Sequence, residues 1–162
     1  MNELIEKISS YNLFNYLLPG ILFVVIGEKI TPYVFEAENI VIGVFIYYFI
    51  GLIISRVGSL VIEPTLKKIS FLKFANYNDF ILASKDDSKI EIFSEANNMY
   101  RTFCSMFILL LLLKLYSYIE SKIASLQEWN SLTIILLLLI LFLYSYKKQT
   151  NYIRKRIESS KK

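Results

Sequence analysis

The sequence predicts an all-α, multi-span membrane protein with four transmembrane helices and helical extensions on the cytoplasmic side. Three observations predict it. Hydrophobic residues make up 55% of the 162 residues and mean hydropathy is +0.47, too apolar for an ordinary soluble domain of this size. The apolar residues fall in long blocks, as a bilayer about 30 Å thick requires. Many of the 12 Tyr and 12 Phe stand near block ends, where aromatic rings favour the headgroup region.

The first block covers about 11–30. Its uninterrupted apolar part, Tyr16 to Gly27, is short for a span, so it borrows length from Leu13 and Phe14, tilts, or is partly re-entrant. Pro19-Gly20 predicts a kink, since Pro19 has no N–H for the carbonyl of Asn15. Ahead of the block, Leu4, Ile5 and Ile8 share one face of a short amphipathic helix suited to the membrane surface. Met1 to Ser10 carries Glu3, Glu6 and Lys7, unlike the basic start of a cleavable signal peptide.

The second block covers about 40–62. Glu63-Pro64 is expected to end it, because proline disfavours helical backbone in the residue before it. A polar helical region follows over about 65–100, read as a short helix, a turn at Lys85-Asp86-Asp87, and the start of a long third helix. Asp86-Asp87-Ser88 suits a helix start. No Pro or Gly lies between Ser88 and Trp129, so one helix can run from water straight into the third span, about 101–119. The fourth span, about 131–146, is nearly pure Leu and Ile and leads into a basic tail, 147–162.

Charge sets the expected orientation. The connector Glu28 to Asn39 has three Glu and one Lys, and Tyr116 to Asn130 has two Glu and one Lys. The central region holds Lys67, Lys68, Lys73, Lys85, Lys89 and Arg101, and the tail holds seven basic residues and one Glu. The positive-inside rule places the central region and tail in the cytoplasm and both short connectors outside. If the first block spans, both termini are cytoplasmic.

There is no His, and Cys104 is the only Cys. No His/Cys zinc site, Ser-His-Asp triad or Cys-His dyad can be built. Asp79, Asp86, Asp87, Glu91 and Glu95 are the only clustered carboxylates, and they read as a helix cap and a solvated face. No catalytic residue, metal site or cofactor is expected.

Several polar residues lie in the spans. Arg56 within the second block costs about 2.5–3.5 kcal/mol at the bilayer centre unless it snorkels. Ser55, Ser59 and Glu63 recur at i+4 spacing beside it, so Arg56, Ser59 and Glu63 are pore or gate candidates. The alternative is snorkelling with an ion pair near the interface. Asn12 and Asn15 add polarity to the first block as an ion contact or part of a structural kink. Lys114 tunes a pore or pairs with Glu28 or Glu120. Gly51, Ser55 and Gly58 form a small-residue face for close helix packing, within the chain or between copies. In the tail, Lys147, Lys148, Arg154, Lys155 and Arg156 bind either anionic lipid or an oligonucleotide, with Tyr146 and Tyr152 able to stack bases.

The layout over most of the chain resembles small membrane effectors of bacterial anti-phage defence operons. The resemblance rests on Tyr11-Asn12-Leu13-Phe14-Asn15-Tyr16-Leu17-Leu18-Pro19-Gly20, on Ser55-Arg56-Val57-Gly58-Ser59 with Glu63-Pro64, and on Glu95-Ala96-Asn97-Asn98-Met99-Tyr100-Arg101. It is nearest to the channel subunit of Hailong-type systems (HalB), and the outline is also similar to Kiwa-type membrane subunits. The Hailong resemblance implies a homo-oligomeric channel of the bacterial inner membrane. A DNA oligomer made by a partner nucleotidyltransferase holds such a channel shut, and loss of the oligomer depolarises the cell. The other reading of the residues is a non-conducting membrane anchor or sensor that recruits a cytoplasmic partner.

Overall fold

In the computed structural model, the described residues are 13–35, 37, 39–123 and 125–160. They contain helices and no strand. Helix α1 is Leu13–Ile30, α2 is Ile40–Lys68, α3 is Tyr77–Asp86, α4 is Lys89–Glu120 and α5 is Ser125–Ser160. Four of them, α1, α2, α4 and α5, are long and apolar enough to cross a membrane. The amphipathic segment around Leu4 and the candidate Asn12 lie outside the described residues.

Helix α1 has 18 residues, about 27 Å of rise, and reaches span length by recruiting Leu13 and Phe14. Its first turn, Leu13–Leu17, is a widened π turn directly ahead of Pro19, where the missing N–H breaks the ordinary ladder. The same device recurs in α2. There Gly58–Ile62 is a π turn, and Glu63 N–H bonds the Gly58 carbonyl five residues back. The ladder thereby changes register before Pro64. The expectation that Glu63-Pro64 ends the second helix is therefore corrected: α2 runs on to Lys68. It stops where Ser70 takes φ 60°, with Phe71 N–H on the Leu66 carbonyl and Ser70 N–H on that of Lys67. This paired C-terminal bonding usually uses glycine at the left-handed position.

Helix α4 begins as expected after Asp86-Asp87-Ser88, with the Asp87 carboxylate accepting the Lys89 N–H at 2.9 Å. Its 32 residues rise about 48 Å, and the 36 of α5 about 54 Å. Both outreach the hydrocarbon at the same end of the molecule. The basic tail is thus no separate segment: its described part is the continuation of α5.

The N-terminal ends of α1 and α4 and the C-terminal ends of α2 and α5 share this basic end; the two short connectors share the other. Helices α1, α2 and α4 form a tight trio. A Cβ on Gly20 would lie 1.8 Å from the Tyr47 carbonyl oxygen, and one on Gly51 would lie 1.7 Å from that of Tyr16. The backbones of α1 and α2 meet there, as small residues permit in lipid. Ile54, Met106 and Leu110 form the buried core between the helices. Helix α5 stands apart, and none of its described side chains is buried. It is tied to α2 by a Phe49–Phe142 ring stack at 6.0 Å and to α3 by Tyr77–Tyr152 at 6.4 Å.

Candidate functional site: a polar seam at the basic end

The two π turns face the same end of the trio and present Asn15 and Ser59 to its interior. A widened turn rotates the residues around it, so it re-aims side chains that a regular helix would send elsewhere. Asn15, Ser55, Ser59, Glu63, Thr102 and Ser105 are all buried there, the last two completely.

Thr102 joins the three helices. Its Oγ1 lies 2.9 Å from Asn15 Oδ1 on α1, 3.3 Å from Ser55 Oγ on α2 and 2.9 Å from the Asn98 carbonyl on α4. One turn deeper, Ser105 Oγ donates to the Ile54 carbonyl at 2.9 Å. Among the described residues, Asn15 Nδ2 and Arg101 Nε are buried donors without an acceptor, a costly state at about 1–3 kcal/mol each.

Nearer the end of the bundle, charge replaces hydroxyls. Glu63 Oε2 accepts from Arg101 at 2.7 Å and Oε1 from Lys67 at 2.8 Å. Lys148 of α5 donates to the carbonyl of Ser59 at 2.7 Å and to its hydroxyl at 2.6 Å. One carboxylate therefore lies among basic residues from α2, α4 and α5. Arg56 does not pair with Glu63; its guanidinium lies 3.5 Å from the Tyr16 hydroxyl. Of the three gate candidates, Ser59 and Glu63 are thus tied to basic residues of other turns or helices, while Arg56 turns to Tyr16.

The other sequence candidates fall into place as follows. Gly51 meets the Tyr16 backbone, and Gly58 meets Ser105 and Arg101. Ser55 bonds into the seam, so the small-residue face is used inside one chain. Lys114 is far from the seam and caps α1 by donating to the Ile30 carbonyl, instead of pairing with Glu28 or Glu120. Of the basic residues of α5, Lys148 is committed to Ser59. Lys147, Arg154, Lys155 and Arg156 are exposed, and Arg154 makes a 3.7 Å contact with Glu158.

Two groupings escape a reading of the sequence. Thr102 and Ser105 look like tolerated small polar residues within an apolar run; their signal is the spacing Asn98, Thr102, Ser105, one polar face of α4. At the connector end, the buried Glu120 accepts from Tyr33 and, at 2.6 Å, from Asn130 Nδ2, while Tyr116 donates to Asn130. This knot ties the first connector to α4 and α5. Burial pushes the Tyr33 phenol up to about 12, helped by the hydrogen bond to Glu120 and its charge. Comparison with protein-family models, curated proteins and solved structures finds no match to the chain.

Proposed function

We propose that the protein is an oligomeric ion channel of the bacterial inner membrane, gated by a polyanion at its basic end and acting as a depolarising effector of anti-phage defence. The observation that carries this reading is the polar seam. Asn15, Ser55, Thr102 and Ser105 are buried together over about one helical turn, where such groups can both tie helices together and line a path for ions. Intramembrane polar clusters of this kind accompany ion pathways and gates.

Within one chain these groups bond to one another, which closes the seam. Conduction then requires copies of the chain, with α5 the element free to rearrange. It has no buried described side chain, yet it inserts Lys148 beside Ser59. The basic end, on helices that outreach the bilayer, is the receiving surface for a polyanion such as the oligonucleotide that the Hailong resemblance implies. Both termini are cytoplasmic in this reading.

The closed seam also favours a second reading, a non-conducting anchor that presents α3 and the projecting turns of α4 and α5 to a cytoplasmic partner. Ion flux from liposomes holding the full chain separates the two. A channel releases ions, and short oligonucleotides alter the rate; Thr102→Val changes the flux without loss of protein from the membrane. No flux under any of these conditions, with a stable stoichiometric complex captured from cells, overturns the channel reading.

A further inference from the structure

Beside the seam, at the junction of α2 and α5, lies a cavity of about 320 Å³. Its apolar lining includes Leu60 of α2 and Tyr144 of α5, and its polar lining is Lys147, Lys148, Asn151 and Lys155 of α5. We propose that this cavity binds the phosphodiester headgroup of an anionic phospholipid.

Charge is the first reason. The lining has three ammonium groups and no carboxylate. Glu63 is outside the lining, and both its oxygens are bonded to Lys67 and Arg101. Lys148 feels the Glu63 charge most strongly and, against it, the charges of Arg101, Lys67 and Arg56. Cations gathered this closely at a low-dielectric boundary favour an anion among them.

Depth is the second reason. The apolar run of α5 ends at Tyr146 and Lys147 follows at once, so the cavity straddles the level where hydrocarbon gives way to headgroups. Tyr152 flanks it, with Lys148 Nζ 5.7 Å from the ring centre. Next to the apolar wall in sequence, Val61 and Leu143 are exposed and offer acyl chains a surface. A soluble polyanion gains nothing from Leu60, Val61 and Leu143, whereas a phospholipid uses both halves of the site.

The test is native mass spectrometry of the full chain in mild detergent with added lipid. Its readout is bound mass, independent of ion flux, so it stands or falls apart from the channel reading. Phosphatidylglycerol is expected to be retained at least tenfold over phosphatidylcholine. The double variant Lys147→Gln/Lys155→Gln is expected to lose at least fivefold of that retention; Lys148 is left intact because it braces Ser59. Arg154→Gln/Arg156→Gln removes the same charge from residues outside the lining and is expected to leave retention within twofold of the parent. Equal retention of the two lipids, or equal loss in both variants, overturns the proposal. Displacement of the lipid by millimolar glycerol phosphate reassigns the site to a soluble phosphate and overturns the lipid assignment.

Discussion

Helices α1 and α5 show what holds this protein together. The apolar window of α5 has a mean hydropathy of 1.9 and that of α1 only 1.6, yet 28% of the α1 window is buried and none of the α5 window. In water the greasier helix would be the better packed. In lipid, burying an apolar side chain against another helix merely exchanges one hydrocarbon contact for another, so area alone gives little. Helix α1 is held because Gly20 and Gly51 let backbones touch and because Asn15 finds partners. Helix α5, with no Gly and few polar groups in its apolar run, has only Phe142 and Lys148 as firm points on α2.

The sharpest way to break that contrast is Gly51→Ala. The new methyl would meet a backbone carbonyl, which cannot rotate away, so the expected loss is about 3 kcal/mol, seen as a lower unfolding midpoint in detergent. A change under about 0.5 kcal/mol would show that the backbones can part at little cost.

Glu63→Ala comes next. It strips Arg101 and Lys67 of their shared acceptor and is expected to cost about 2 kcal/mol, with Glu63→Gln recovering part. The same unfolding assay checks both, and equal stability of all three proteins would mean that the cations are fully served by solvent.

Leu136→Ala on α5 is the counterpart. This half-exposed residue is expected to cost about 0.5 kcal/mol or less in dilute detergent. A larger, concentration-dependent loss would place α5 at an interface between copies.

A pH effect concerns the connector knot that joins the two regions. Because the Tyr33 phenol is raised from 10.0 to about 12 when folded, the folded state holds that proton more tightly. Its contribution to stability is complete below pH 10 and is lost as pH rises from 10 through 12. Phenolate absorbance should show a late-titrating component that is lost in Tyr33→Phe, while any from Tyr152, also raised by burial, remains. A titration identical in both proteins would dissociate Tyr33 from Glu120.

Much of the fold was legible because hydrocarbon imposes a simple code. Block length predicts the four long helices, and the absence of Pro and Gly between Ser88 and Trp129 predicts the long α4. Pro64 misled because a local rule met a register change. The π turn at Gly58–Ile62 lets the helix pass through the proline. The site was legible only as a list. Asn15, Ser55, Ser59 and Glu63 stood out as polar residues in or beside apolar blocks, but Thr102, which joins three helices, looks like any small polar residue in a span. Arg56 drew attention as the lone charge of its block, while Arg101, at the edge of the next, became the partner of Glu63.

The sequence by itself determined the number and length of the apolar helices and where their charged ends lie, because the bilayer tests each segment one at a time. Only the tertiary structure decided which polar groups meet, that the small-residue face is spent inside one chain, and that α5, more apolar than α1, packs least. Those outcomes depend on pairwise geometry between helices, on glycine contacts and the competition of cations for one carboxylate, and no single segment carries that information.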